Sequence, residues 1–575
     1  MKQKILNLLQ FIIPILLTFF VWHNFKVSGN NLLFMLILVG LYYVTKNVIS
    51  RMDKKRVVNI SVISTLFTIA TLIGKSVSED YTINHIFDKW IIINFTGYFS
   101  TAYILIDLLY NFFEKNKLNN IELWKNRIIL KNDKANFIIV FLLIALSWMP
   151  FLLKCYPGII TPDSNWQMQQ ALGLTELSNH HSIFHTGIIS IALNIGNGIF
   201  NSLEAGLCIY SIISILVMAL VDTCILQYLK KKKGPQIVRI IVLLFYMIYP
   251  INGYYSITMW KDIFFSGMFS ILFILFIELI TNTEKFFRKK RNMALFIIVS
   301  LLVIYLRSNG LYCILITMPL ALITLRKYWK KLSCMFAIIL ALYFIINTLM
   351  YNVFNIIKVA TGEALSIPVQ QIARVDKYHR DELGEQTRQE IYSYFSHENI
   401  GDYYNPTLSD DVKFKIKSEY FNEHKSEFIG LWFKLFLKYP KEYFESFFSN
   451  SYGYYYIETQ NKIFSEFSND NGLNMVQKPI IKDSPLDLIL GVSEYSTIPV
   501  YSMLFSIGFV FWLMVSCLGY KIYIRETKYI ISYMPLFILW LTLIASPVFC
   551  EYRYAYPLFM CLPIFISINL VKKEN

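Results

Sequence analysis

A cysteine motif, an acidic balance to its basic residues and a small-residue cleavage site after the first apolar run are not to be found in this chain. Its cysteines are Cys155, Cys208, Cys224, Cys313, Cys334, Cys517, Cys550 and Cys561, all in or beside apolar runs, and the long polar segment near 355–495 has none. That distribution excludes a disulfide framework and a cysteine-based zinc motif. The first apolar run has no small-residue cleavage site and more apolar runs follow it, so it is read as retained. No repeat with a period of about 20–50 residues and no clear inverted duplication is visible. Acidic residues number 39 against 54 Lys and Arg, a formal net charge of +15. The excess cations concentrate in short loops between apolar runs, the pattern of cytoplasmic retention, so nucleic acid is not the implied partner.

What the chain does have is apolar length. Of its 575 residues 55% are hydrophobic and mean hydropathy is +0.46. Runs of about 20 apolar residues are long enough to cross a bilayer, and they predict an α-helical polytopic membrane protein. Runs near 5–25, 31–50, 57–76, 89–110 and 135–154 give five spans, and basic clusters fall on alternate sides of them. The run 183–200 is expected to lie at or dip into the outer face, because a crossing there would put Lys230–Lys233 outside. Spans near 204–229, 236–256, 263–282, 293–308, 311–326, 332–354, 497–519, 529–549 and 555–571 complete a predicted total of fourteen, with both termini cytoplasmic. The predicted organisation is a four-span segment (1–134), a membrane core (135–354) with an outer loop (155–203), an extracytoplasmic, mainly helical domain (355–496) and a three-span segment (497–575).

On that topology, charged residues gather at one face. Tyr156-Pro157-Gly158 ends a span, since proline and glycine do not continue a helix, and leaves Asp163 on a loop close to the membrane. His180, His181 and His185 follow on the same side, as do Lys261 with Asp262, Arg307 with Asn309, and Glu551 with Arg553 and Tyr554. Charges against apolar flanks are costly unless paired or wetted, and so tend to mark sites. Each also has a plainer reading. Asp163 suits a helix N-cap ahead of a helix Ser164–Leu172. Lys261–Asp262 suits a solvated turn pair, Arg307 a snorkelling arginine, and Glu551–Arg553 a private ion pair. The histidines suggest metal ligation or substrate contact, but lack a helical Glu or Cys partner.

Together these features resemble the GT-C superfamily of integral-membrane glycosyltransferases. The resemblance rests on Asp163 in the first large outer loop, Lys261-Asp262, Arg307-x-Asn309-Gly310, and Glu551-x-Arg553-Tyr554 before Tyr556-Pro557. Tyr156-Pro-Gly-x-x-x-x-Asp163-Ser-x-x-Gln167 with His180-His181, and Ile367-Pro-Val-Gln370-Gln371-Ile-Ala-Arg374, resemble one mostly Gram-positive branch. The resemblance covers roughly 135–570 and implies a polyprenyl-phosphate sugar donor, an envelope glycan acceptor and transfer at the extracytoplasmic face of the cell membrane. It implies Asp163 as general base, with His180, His181, Lys261, Asp262, Arg307, Asn309, Glu551, Arg553 and Tyr554 binding substrate. Only one acid stands in the first-loop motif, where some relatives have an Asp-Glu or Asp-Asp pair, which puts dependence on a divalent metal in doubt. A lipid-linked glycan transporter and an envelope polysaccharide ligase or polymerase are the rival expectations.

Overall fold

The structure, a computed structural model, describes residues 2–25, 31–115, 133–357, 365–469, 471–482, 484–486, 498, 501–545 and 548–571. Two of the basic clusters that bear on orientation, in 116–132 and at Lys572 and Lys573, lie outside the described residues. Helices make up nearly all of the regular structure, and the only β pairing among the described residues is in isolated bridges. Among the described residues eleven helices are long and apolar enough to cross a membrane, or twelve if one bent pair is counted as a single span. The chain is an α-helical multi-pass membrane protein.

Helices α1 (Lys2–Phe25), α2 (Asn31–Ser50), α3 (Lys54–Asp80), α4 (Ile91–Lys115) and α5 (Asp133–Lys154) open the bundle. They are followed by α6 (Pro162–Ala171), α7 (Ile183–Phe200), α8 (Leu203–Lys231), α9 (Gln236–Ile248) and α10 (Pro250–Ser256). Next come α11 (Lys261–Thr281), α12 (Thr283–Arg288), α13 (Lys290–Leu306), α14 (Asn309–Thr324) and α15 (Trp329–Val353). Pro250 has no N–H to continue the ladder of α9, and the chain bends by 51° there.

Ion pairs fix which helix ends lie together. Lys230 at the end of α8 meets Asp133 at the start of α5 at 2.5 Å, and Lys232 meets Glu278 near the end of α11 at 2.5 Å. The opposite end of the bundle carries Asp163. There the Tyr156 carbonyl accepts from the Lys478 amide at 2.8 Å, and the Lys478 ammonium meets Glu204, at the start of α8, at 2.6 Å.

Helix α7 passes the length and apolarity test for a span, yet both its ends belong to that Asp163 end. Its N-cap Ser182 donates to the carbonyl of Tyr305, near the end of α13, at 2.7 Å. Its C-terminus turns through Asn201 straight into α8, beside Glu204. Glycine lets the two helices touch: a Cβ on Gly196 would lie 2.1 Å from the Gly206 nitrogen.

The segment 355–496 contains two differently built parts. A helical subdomain comprises α16 (Ser366–His379), α17 (Glu385–Ser393), α18 (Asp410–Lys413), α19 (Ser418–Glu423), α20 (Lys425–Lys438) and α21 (Pro440–Ser451). It has its own core, including Val369, Ile372, Ile391, Phe428 and Leu435. The Gln370-Gln371 pair and Arg374, quoted above for the family resemblance, hold this core. Gln370 donates to the carbonyls of Asn405 and Leu408, and Gln371 donates to the Tyr443 carbonyl and accepts from the Trp432 indole.

The second part is an extended strap, residues 461–469 and 471–482, whose Ile463, Phe464 and Met475 pack against the bundle instead. Helices α22 (Ile507–Tyr523), α23 (Lys528–Ala545) and α24 (Tyr552–Leu570) close the chain.

Candidate active site

Three backbone pairings assemble the site. Ile159 pairs with the 257–259 turn, its N–H donating to the Ile257 carbonyl and its carbonyl accepting from Met259, both at 3.0 Å. This sets the loop before Asp163 alongside Trp260, Lys261 and Asp262. Gly158 makes the approach possible, with φ +142° and Ser211 Oγ only 2.3 Å from where a Cβ would stand. Lys462 of the strap pairs with the stretch around Glu551, and Ser468 donates to the Ile160 carbonyl at 2.8 Å. The strap thus ties the Glu551–Arg553 turn to the Asp163 loop.

Asp163 is not the helix cap. Helix α6 begins at Pro162, and Thr161 caps it: the Ser164 hydroxyl accepts from the Thr161 N–H at 2.6 Å, and the two hydroxyls lie 3.0 Å apart. Thr161 Oγ1 also accepts from the Trp260 indole at 2.8 Å. Asp163 stands in the first helical turn, where the exposed amides and the dipole favour a carboxylate.

Around it the predicted charges converge. Arg553 Nη1 donates to Asp163 Oδ2 at 2.7 Å, while its Nε lies 3.6 Å from Glu551 Oε1. The Arg553 guanidinium sits 4.8 Å from the Trp260 ring centre and 4.9 Å from that of Tyr554. Arg307 stacks on Tyr554 at 4.0 Å and pairs with Asp262. One tyrosine ring therefore contacts both arginines, a geometry worth about 0.5–2 kcal/mol per contact. Lys261 donates to His181 Nδ1 at 3.3 Å and to the His180 carbonyl at 3.4 Å, and among the described residues it has no carboxylate partner.

Exposure separates the carboxylates. The side chain of Asp262 is 2% exposed and that of Glu551 15%, but that of Asp163 is 39% exposed. Asp163 Oδ1 accepts no hydrogen bond from the described residues, so one oxygen faces outward. Burial alone would raise the Asp163 pKa, but the cations around it, Arg553 first and then Lys261, outweigh it and hold the carboxyl below its ordinary value. Glu551 goes the other way: burial pushes it up against the pull of Arg553 and Lys462. Three cations thus face three acids, Asp163, Asp262 and Glu551. Burial and Lys261 push the His181 imidazole down to about 3, so that ring is neutral.

Three predicted residues sit apart from this cluster or at its rim. The Asn309 amide donates to Thr542 Oγ1 of α23 at 2.7 Å. His180 is exposed at the mouth, its ring 4.6 Å from that of His181 and 6.2 Å from that of Trp166. His185 is buried with both ring nitrogens engaged, by Gln167 at 2.9 Å and the Tyr210 hydroxyl at 2.7 Å, leaving neither for a metal. Among the described residues no group of three or more His, Cys, Asp or Glu side chains could hold a metal ion. Trp260, Trp166 and Lys462 were not anticipated. The two tryptophans adjoin charged motifs at a membrane face, which is a usable signal, whereas Lys462 lies in an aperiodic stretch that offers none.

A family model described as "Family of unknown function (DUF6020)" matches residues 172–575, which takes in every predicted site residue except Asp163. No curated protein and no solved structure matches the chain.

Proposed function

The chain belongs to that family of unknown function, and from the chemistry of the site we propose that it is a membrane glycosyltransferase of GT-C type. It moves a sugar from a polyprenyl-phosphate donor to an envelope glycan acceptor at the extracytoplasmic face. The observation that carries this is the half-open Asp163, anchored to Arg553 through one oxygen, beside Lys261 and Arg307 at one end of a helix bundle.

A glycosyl transfer from a lipid phosphate needs these groups. The acceptor hydroxyl attacks the anomeric carbon, the bond from that carbon to the phosphate oxygen breaks, and polyprenyl phosphate leaves with the electron pair. The hydroxyl proton passes to the outward oxygen of Asp163, which is charged at neutral pH and accepts the proton as the hydroxyl acidifies in the transition state. Charge growing on the leaving phosphate is met by Lys261, which makes no direct ion pair among the described residues, and by the guanidinium forks of Arg307 and Arg553. Asp262 orients Arg307, and Glu551 orients Arg553 or contacts sugar hydroxyls.

A lipid-carried donor also requires a site at headgroup depth. Tracing the helices end to end supports fourteen crossings, with α7 lying along the Asp163 face and α9 and α10 together making one crossing. Lys230, Lys232 and Lys521 then fall on the cytoplasmic side with both termini, and the site falls outside.

One observation favours a second reading, a lipid-linked glycan transporter. Asp222 of α8 is fully buried in the bundle and neither carboxylate oxygen has a hydrogen-bond partner among the described residues, as in ion-coupled carriers.

The discriminating experiment is transfer of labelled sugar from polyprenyl-phosphate donors by purified wild type, Asp163→Asn and Asp222→Asn. The transferase reading expects the first substitution to abolish transfer and the second to leave it intact. Undiminished turnover by Asp163→Asn removes the catalytic assignment.

A further inference from the structure

One helix of the outer subdomain is apolar on two faces. In α20, Phe428, Leu431 and Leu435 are buried in the subdomain core. Ile429, Phe433 and Leu437, spaced four residues apart, form a second stripe that is 60%, 52% and 66% exposed. Polar residues belong on such a face if water covers it.

The stripe does not stand alone. Ring contacts run from Phe433 to Phe436 at 6.1 Å, from Phe436 to Phe444 at 6.1 Å and from Phe444 to Phe448 at 6.2 Å. Phe448 packs in the cluster built on Val77 of α3, with Ile73 and Ile83. Below that cluster α3 shows Val58, Val62, Leu66 and Ile69, each 45–57% exposed, the outward face of a helix long and apolar enough to cross a membrane. The exposed face of α20 is therefore continuous with the lipid-facing face of the bundle. Beside it stand Lys434, Lys438 and Lys441, all exposed, while Glu427 is the only acidic residue of α20. Apolar and aromatic side chains flanked by lysines match a bilayer interface with anionic headgroups, the lysine stems lying along the apolar layer.

We propose that α20 is an interfacial helix, with Ile429, Phe433 and Leu437 sunk into the lipid surface at the Asp163 end and its lysines at anionic phospholipid headgroups. This seats the subdomain on the membrane, independently of the chemistry performed beside Asp163.

The test uses the full chain in nanodiscs of phosphatidylcholine and phosphatidylglycerol, with Cys334→Ser and a nitroxide label on a cysteine introduced at position 433, 437 or 398. Labels at 433 and 437 should collide more with oxygen than with a water-soluble nickel chelate, and the label at the exposed, polar position 398 should show the reverse. Nickel accessibility at 433 and 437 equal to that at 398 overturns the proposal in favour of a water-facing stripe. Spin–spin broadening at 433 that vanishes on dilution with unlabelled protein overturns it in favour of a second copy. All three positions are exposed, so labelling leaves the fold intact, and a common melting temperature checks this.

Discussion

Arg553 and Arg374 are each set between two carboxylates and a tyrosine, one in the candidate site and one in the helical subdomain. Arg374 donates to Glu442 at 2.8 Å, to the Tyr404 hydroxyl at 3.1 Å and to Glu445, and stacks 4.9 Å from the Tyr378 ring. Its acids are 11% and 1% exposed, and the guanidinium 2%. Arg553 faces Asp163, Glu551 and Tyr554, but it donates only to Asp163 and the tyrosine, Glu551 lying 3.6 Å from its Nε, and Asp163 is 39% exposed. The inventory of groups is nearly identical, and what differs is that one acid stays beyond hydrogen-bond distance and the other keeps an oxygen open to the outside. A sealed cluster holds the fold together, whereas an open one has capacity left for a substrate.

The largest effect should come from breaking the open cluster at its free oxygen. Asp163→Asn keeps the size and one acceptor, so the melting temperature should stay near wild type. Sugar transfer, followed with radiolabelled donor, should fall by about 100-fold to 10,000-fold, the usual contribution of a general base. The sealed cluster should respond in the opposite sense. Arg374→Met strands two buried acids and should lower stability by about 3–5 kcal/mol in a denaturant titration, with activity lost only as the fold is lost. If Arg374→Met is instead stable and inactive, the two clusters are not distinguished by exposure.

A subtler contrast is pH. Asp163 is held low despite burial because Arg553, through charge and hydrogen bond, and Lys261 together outweigh that burial, so wild-type activity should persist as pH falls until that depressed pKa is reached. Arg553→Met leaves burial less opposed, and the acid limb of the pH–rate profile should move to higher pH. His181 offers a linked stability test. Its imidazole, ordinarily near 6.5, is pushed down to about 3 by burial and Lys261, so the unfolded chain takes up a proton there that the folded one refuses. Stability should therefore fall as pH drops through that window, and His181→Gln should flatten the slope of melting temperature against pH. The smallest expected effect is that of Asp222→Asn on transfer, which should be none. A loss there would favour transport.

Part of this was legible in the sequence. Asp163, Arg307, Glu551 and Arg553 stand out because charge is scarce at the outer ends of apolar runs, and the structure brings all four to one place. Asn309 stood two residues from Arg307 and yet turns to Thr542, because Arg307 is an extended helix C-cap and Asn309 opens the next helix, so adjacency says nothing about direction. Helix α7 could not be settled by length and apolarity, which fit a span; only the contacts of its two ends tie both to the same side of the bundle. The division of 355–496 into subdomain and strap was hidden for another reason. The strap is held through backbone atoms, as at Ser468 and Lys478, which leave no periodic trace in side-chain type. Gln370, Gln371 and Arg374 looked functional as a pattern, and their hydrogen bonds make them the framework of a helical core.

The most direct test of the open cluster separates binding from turnover. Affinity for a short-chain polyprenyl phosphate should be measured in detergent for wild type, Asp163→Asn, Arg307→Met and Arg553→Met, alongside sugar transfer. Removing the charge of Asp163 frees Arg553 for the phosphate, so Asp163→Asn should bind at least as tightly as wild type while transferring nothing, and both arginine variants should bind more weakly. Equal affinity in all four proteins, or weaker binding by Asp163→Asn with transfer preserved, would contradict a lipid-phosphate site served by these residues.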